Sequence, residues 1–408
     1  MKKYIILGAT ISNMGGAEQY LCAKMAWLRT HGWSVSLFLY RKGRIMMDVD
    51  MDNIHYLKEL QYPSYYYSEK KQNKILRNLL DIVGSIEDTK VVIESTIVSL
   101  STWGESLSQL IGAKHIIYSL QEKDEVRNNS IIDFLKFKHQ RRELAGITET
   151  SIARMFRSFG ITIPKEKSYV LPAYYQDVLK NYEHPLTNKM KEMSYDYAIG
   201  SIGRLEKPFV LPTIKSVLEY VKRDLSHHYL LLLIGDTAEG CDRRKKIVDL
   251  CTGLSNLTLL ITGYLYPIPI DLVQSCDIFF SSSGSAGVST RCGVPTVSID
   301  GRDLKPIGVV GYTTESRLFR TTEPVRPVED YLDEILKEKK YPKTSFKSKS
   351  EPDYSSHLQF IEESSNTVVY YDRTRFSWNK GQGFQKFIVP LLGPIIYHKI
   401  LKVFQKSK

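Results

Sequence analysis

The strongest constraint on this chain is a rhythm: short, almost uninterrupted apolar runs of strand length alternate with longer amphipathic stretches. KKYIILGAT, WSVSLFLY, VVIEST and HIIYSL supply the runs of the first half. YAIGSIG, YLLLLIGD, LTLLITGY, CDIFFSSS and PTVSID supply those of the second. Between them lie segments of helical spacing, such as AEQYLCAKMAWLRTHG, where Leu21, Met25 and Leu28 share a face and Gly32 is the stop. ITETSIARMFRSFG reads as a strand end, Ser/Thr caps and a helix, and another helix is expected over Thr213 to Arg223. Strands apolar on both faces belong to parallel sheets covered by helices on both sides. The expected fold class is therefore α/β, two doubly wound domains.

Length supports two cores, since 408 residues exceed what one usually holds. We expect an N-terminal domain over residues 1–185 and a second over 186–340. The linker is expected within EHPLTNKMKEMSYD, residues 183–196, and residues 341–408 form a C-terminal extension. Within that extension and just before it, KEKKYPKTSFKSKSEPDY reads as loop.

Charge narrows the partners. A net charge of +11 and a pI near 9.1 favour anions: nucleotide diphosphates, nucleic acid or acidic lipid. The positive residues are spread rather than striped, and no zinc-finger, RNP-like or helix-turn-helix pattern appears, so nucleic acid is not expected. Cys22, Cys241, Cys251, Cys276 and Cys292 are scattered without C-x-x-C or His at ligand spacing; reduced thiols and no metal site are expected. Two lysines precede the first apolar run, but it is short and breaks into Ser-Asn-Met-Gly-Gly, so a first strand is expected there rather than a signal peptide. No apolar run reaches 18 residues, and a cytoplasmic chain without a membrane span is expected.

Ligands of open parallel sheets bind beyond the carboxyl ends of strands. After the first strand come Gly15 and Gly16, which would let the backbone approach a ligand at a helix start. In the second half, successive strand ends carry Gly203-Arg204-Leu205-Glu206-Lys207, then Gly235-Asp236, then Gly263-Tyr264, then Ser281 to Ser285 with Gly284 and Gly287. Arg204 and Lys207 can clamp a diphosphate, unless Arg204 is spent on Glu206. Ser283, Gly284, Ser285 and Gly287 form a turn whose amides precede a helix. Four such features at successive strand ends of one sheet read as a nucleotide bed. Between Asp277 and Asp300 there is no acid.

Gly-Gly-Ala-Glu at 15–18 resembles the opening of bacterial GT-B glycosyltransferases, especially glycosyltransferase family 4. So do Gly203-Arg204-Leu205, Ile234-Gly235-Asp236, Thr262-Gly263-Tyr264, Cys276-Asp277-Ile278-Phe279 and Gly293-Val294-Pro295-Thr296. Ser168 to Pro172 (SYVLP) sits where that family has its pre-linker strand. The resemblance covers most of residues 1–310 in order. It implies the GT-B fold, two Rossmann-like parallel-sheet domains facing across a cleft. The C-terminal domain would hold a nucleoside-diphosphate sugar with no metal required, and the N-terminal domain an acceptor, lipid-linked or oligosaccharide, in bacterial surface-polysaccharide assembly. Arg204 and Lys207 would stabilise the leaving diphosphate, Gly15 and Gly16 would approach it, and Tyr264 would lie near the base. The family's stereochemistry implies retention.

The chain departs from that pattern. Aligning Cys292-Gly293-Val294-Pro295 puts Val288 where the second of two paired glutamates belongs, and the loop before it is short. Gln121, followed by Glu122, stands on the acceptor side where many members have His before an acid. These departures keep alive a catalytically silent scaffold or activator of a partner transferase. A GT-B epimerase is disfavoured because its catalytic acids and His have no place here. Finally, Phe384, Phe387, Ile388, Leu391, Leu392, Ile395 and Ile396 form an apolar stripe with Lys386, Lys399, Lys402, Lys406 and Lys408 around it. This tail either lies on an anionic membrane, making the chain peripheral, or packs back on the first domain.

Overall fold

The structure is a computed structural model describing residues 2–12, 15–120, 125–238, 240–364, 369–378 and 385–397. It divides into two compact units, Met1–Gln176 with Glu351–Lys408, and Asp177–Ser350.

The first unit carries six parallel strands: β1 (Lys2–Gly8), β2 (Ser34–Leu39), β3 (Ile54–Tyr56), β4 (Lys90–Ser95), β5 (Lys114–Ser119) and β6 (Leu144–Gly146). Their order is β3-β2-β1-β4-β5-β6. Tyr4 to Leu7 are fully buried, as expected of a strand covered on both faces. The helix after β1 runs Gly16–Thr30, and Gly32 takes the left-handed φ of 77° that ends it. After β6, Thr148 and Ser151 form a capping box that starts the helix Glu149–Arg157. Ile5, Phe38, Ile93 and Trp103 anchor one cluster of the core, and Phe134, Leu144 and Phe156 a second, joined by Tyr371 and Phe376; the register from Leu7 through Ser95 and Ile117 to Leu144 puts both on one face of the sheet. Each such side chain contributes about 1.5–3 kcal/mol on burial.

The second unit begins with β7 (Leu179–Lys180), which pairs with β11 (Ile268–Pro269) in a small ribbon. Its main sheet holds β8 (Tyr197–Ile202), β9 (Tyr229–Ile234), β10 (Leu257–Ile261), β12 (Ile278–Ser281), β13 (Thr296–Ile299) and β14 (Pro306–Val309). The order, β10-β9-β8-β12-β13-β14, repeats that of the first unit. Only β14 runs antiparallel, on the β13 edge. The segment 183–196 contains a helix, Pro185–Glu192, started by the His184 side chain accepting from the Leu186 amide.

Residues after 350 return to the first unit. Helix Ser355–Glu363 places His357 against Lys24 of the first helix, with Lys24 Nζ 3.1 Å from Nδ1. Tyr354 donates to the Tyr174 carbonyl at 2.7 Å. Among the described residues no helix is long and apolar enough to cross a membrane.

Candidate functional site

In each six-stranded sheet the strand order reverses beside the first strand of that sheet, β1 or β8, which is where α/β sheets open a crevice at their carboxyl ends. For the second unit that point lies between β8 and β12, and two loops meet there. The β8 loop carries Gly203, Arg204 and Lys207; the β12 loop carries Ser283, Gly284 and Ser285. Lys207 Nζ donates to Ser285 Oγ at 3.4 Å, joining them. Beneath, the Ile202 amide donates to Ser281 Oγ at 3.3 Å, and Ser282 Oγ donates to the Ile299 carbonyl at 2.8 Å. Ser281 and Ser282 therefore brace the sheet, leaving the exposed Ser283 and half-buried Ser285 at the mouth.

Lys207 is mostly buried, and its ammonium is held below the ordinary lysine range by burial and by the nearby Arg204, with Glu206 pulling the other way. A cation kept short of water and of a full counter-charge gains strongly from an arriving anion. Arg204 is exposed and sits 3.4 Å from Glu206, so it is partly neutralised at rest. Tyr264 is half-buried at the end of the β10 loop. Burial, then Glu206 and Asp236, raise its phenol, which places it beside the same charges.

Gly235 explains how tightly these strand ends close. Its φ is 146°, and a Cβ there would overlap the Gly203 carbonyl. Its amide donates to Thr262 Oγ1 at 3.3 Å, which ties the β9 and β10 ends together. Asp236 is already engaged: it accepts from the Thr237 amide at 2.8 Å and pairs with Arg244 at 2.5 Å.

Ser283 is a non-glycine residue at a φ of 59°, a strain of about 1–3 kcal/mol where the helix Gly284–Arg291 begins. Its own amide donates to the Arg317 carbonyl. The amides of this turn left without an acceptor inside the helix are thus those of Gly284 and Ser285, the first in it. No side chain crowds Gly284. Gly287 makes room for Arg317, whose Nη1 lies 2.9 Å from where a Cβ would stand. Arg317 was not singled out from sequence, because it comes thirty positions after Gly287 in a segment without periodicity.

In the first unit, Gly15 caps the helix Gly16–Thr30 in extended conformation, and Gly16 lies against the Tyr175 ring. The Glu18 carboxylate folds back beside Gly15, so the chain itself supplies negative charge to that helix start. Gln121 and Glu122 lie outside the described residues.

Two charged networks inside the first unit were not foreseen. Glu94 accepts from Tyr4 at 2.6 Å and Tyr20 at 2.8 Å and pairs with Lys24, all fully buried. His357 accepts from Lys24 and donates from Nε2 to the Pro172 carbonyl at 2.8 Å. Glu105 accepts from His115 at 2.9 Å, from Lys138 at 2.6 Å and from the Tyr371 amide at 2.7 Å. Lys138 and His115 outweigh burial and hold Glu105 near about 2, while burial and Lys138 hold His115 near about 4. These groups are sealed from ligands; they stitch the returning C-terminal segment to the first sheet.

A cavity of about 680 Å³ in the second unit is lined by Tyr220, Asp224, His227, Asp333 and Lys337. It lies at the amino end of β9, and its charges are paired with one another, Asp224 with His227 and Asp333 with Lys337. Among the described residues, no group of three or more His, Cys, Asp or Glu is placed to hold a metal ion.

No protein-family model matches the chain, and no curated protein sequence matches it. Solved structures do. HepE (Alr3699) of Anabaena in complex with UDP and glucose superposes with a TM-score of 0.53 at 15% identity, covering 83% of this chain and 91% of that one. HepE with UDP-glucose gives 0.51 at 15% identity over the same shares. The apo structure of OtsA gives 0.52 at 12% identity, covering 82% and 91%. The fold is GT-B, built from two Rossmann-like parallel-sheet domains, as the sequence led us to expect.

Proposed function

We propose that this chain is a glycosyltransferase that takes a sugar from a nucleoside-diphosphate sugar. One observation carries the reading: the loops after β8 and β12 are joined by Lys207 and Ser285 at the point of strand reversal, with Arg204 and the Gly284–Ser285 amides beside them. That is a preformed cradle for a diphosphate. HepE, which shares the fold, is seen with UDP and with UDP-glucose, which supports a nucleotide sugar as ligand.

In the reaction, the bond between the sugar's anomeric carbon and the diphosphate oxygen breaks, and an acceptor hydroxyl oxygen bonds to that carbon. The departing diphosphate carries away the bonding electrons and takes up the hydroxyl proton on one of its oxygens. Lys207, Arg204 and the loop amides meet that charge as it develops, which lowers the barrier. This neutralisation is assigned to the chain's own cations, without a metal. The proposal extends to a hexosyl donor, retention at the anomeric carbon, and a lipid-linked or oligosaccharide acceptor in surface-polysaccharide assembly. It places the chain in the cytoplasm, peripheral to the plasma membrane's inner face through its C-terminal tail.

Arg204→Ala is expected to weaken donor affinity or turnover at least tenfold, about 1.4 kcal/mol. Titration calorimetry with a panel of nucleotide sugars measures it; an unaffected variant would mean the diphosphate lies elsewhere. A second reading has its own support. The residues from Ile278 to Ile299 contain no carboxylate to hold ribose or sugar, which suits a silent GT-B protein that activates a partner transferase. Binding without turnover on any donor favours it.

A further inference from the structure

The β8 loop of the diphosphate cradle carries one acid, Glu206, set between the cations Arg204 and Lys207. Both its carboxylate oxygens are shut off from solvent, and neither accepts a hydrogen bond from the described residues. Arg204 Nη1 stands 3.4 Å from Oε1, an ion pair without a hydrogen bond. The acids at neighbouring strand ends are served differently. Asp236, after β9, accepts from the Thr237 amide at 2.8 Å, and Asp300, after β13, from the Arg302 and Arg320 amides at 2.6 Å each. Among the described residues no other carboxylate has a buried oxygen left unbonded.

A buried carboxylate stripped of hydrogen bonds destabilises a fold unless something else meets it. No neighbour in the cradle does so. Lys207 donates to Ser285 Oγ instead. Burial and Arg204 lower the Lys207 ammonium while Glu206 opposes them, and burial, then Glu206, raises the Tyr264 phenol. The charge of Glu206 thus acts on both neighbours, yet neither donates to it.

Arg204 is exposed, so its planar fork can turn to an arriving phosphate. Glu206 then loses its ion pair, and a bare phosphate chain returns nothing, because its ionised oxygens only accept. A ligand that carries hydroxyls next to its diphosphate donates where Arg204 has left. The β12 side offers no other acceptor of that kind, since residues Ile278 to Ile299 contain neither Asp nor Glu.

We infer that Glu206 determines which diphosphates the cradle takes. It competes with phosphate for Arg204, and it accepts hydrogen bonds from a pair of hydroxyls on the ligand, those of ribose or of the transferred sugar. The cradle therefore turns away inorganic pyrophosphate and favours a sugar-bearing diphosphate. This selection rests on the donor reading and adds a specificity-determining residue to it.

Titration calorimetry of the full chain and of Glu206→Ala with pyrophosphate, UDP, GDP, UDP-glucose and GDP-glucose tests it. The variant should bind pyrophosphate about threefold more tightly, because a competing anion is gone. Its preference for a nucleotide or nucleotide sugar over pyrophosphate should fall roughly tenfold. Glu206→Gln, which keeps an acceptor without the charge, should bind pyrophosphate tightly yet recover part of that preference. A fall between pyrophosphate and UDP or GDP, matched in wild type by the 2′-deoxy nucleotides, assigns the hydroxyls to ribose. A fall between nucleotide and nucleotide sugar assigns them to the sugar. The melting temperature of Glu206→Ala should hold or rise; a clear drop would mean that the protein itself bonds the acid, and overturns the inference. So does an unchanged preference, or a variant weakened alike toward pyrophosphate and nucleotide, and in either case the nucleotide site stands. Wild type binding none of the probes removes the donor reading and this selection together.

Discussion

The two units share a strand order but spend their charge in opposite places. In the first, the charged groups that matter are inside: Lys24 with Glu94, and Lys138 with Glu105 and His115, all essentially without exposure. In the second, the core cluster is apolar, and the cations Arg204 and Lys207 stand at the strand mouths. At the switch point of the first sheet the Thr96 hydroxyl and amide both donate to the Leu7 carbonyl, at 3.0 and 3.1 Å, extending the ladder between β1 and β4 by one rung. At the corresponding place in the second sheet the Ile202 amide donates to Ser281 Oγ at 3.3 Å, and beyond it the long Lys207–Ser285 contact of 3.4 Å joins the two loops. One topology thus serves as a frame that anchors a returning tail and as a frame that holds cations at its strand mouths.

The largest expected effect lies in the buried networks. Glu105→Ala takes a buried carboxylate from Lys138, which keeps only Glu143 as counter-charge, and strands the Tyr371 amide inside the first unit; it should cost about 3–5 kcal/mol. Thermal melting should show the first unit unfolding early while the second keeps its transition. Glu105→Gln, which keeps acceptors without the charge, should fall between. A neutral outcome would mean that the network does not hold the C-terminal segment.

Gly235→Ala turns the comparison around. A Cβ meeting the Gly203 carbonyl at an unfavourable φ should cost about 3 kcal/mol, in the second unit alone. Hydrogen exchange should report looser β8 and β9 with β1 and β4 unchanged; the reverse pattern would break the account.

Acid should separate the units more gently. His115 is held near about 4 and His357 near about 3, so the unfolded first unit binds protons that the folded one refuses. Stability then rises with pH across that window and is lost as pH falls from the ordinary histidine value near 6.5 toward about 4. In the second unit, Asp300 and Glu323 are held near about 2, so their contribution persists until pH drops below the ordinary carboxylate range. Hydrogen exchange at about pH 5 should show the first unit opening before the second.

Much of this was legible in the sequence, for a physical reason. A strand covered on both faces must be apolar throughout, so YLLLLI announces itself as buried β9 without knowledge of its neighbours. Glycines at strand ends mark places where backbones approach, and Gly203 and Gly235 do so. What stayed hidden depends on distance along the chain. Nothing in periodicity says that Glu105 will meet Lys138 and the Tyr371 amide, or that Asp236 will meet Arg244. Arg317 reaches Gly287 through a loop with no pattern of its own. Ser281 and Ser282 look as available in sequence as Ser283; the fold alone spends their hydroxyls on the sheet.

Lys207 tests the central claim most directly, because burial and ligand binding pull on it in opposite directions. Lys207→Met removes a buried cation and should raise the melting temperature of the second unit, by about 1 kcal/mol of stability. The same variant, titrated calorimetrically beside the wild type with UDP and the other nucleoside diphosphates, should bind the preferred one at least tenfold more weakly. Wild type and variant binding every diphosphate equally, or neither binding any, would contradict the account.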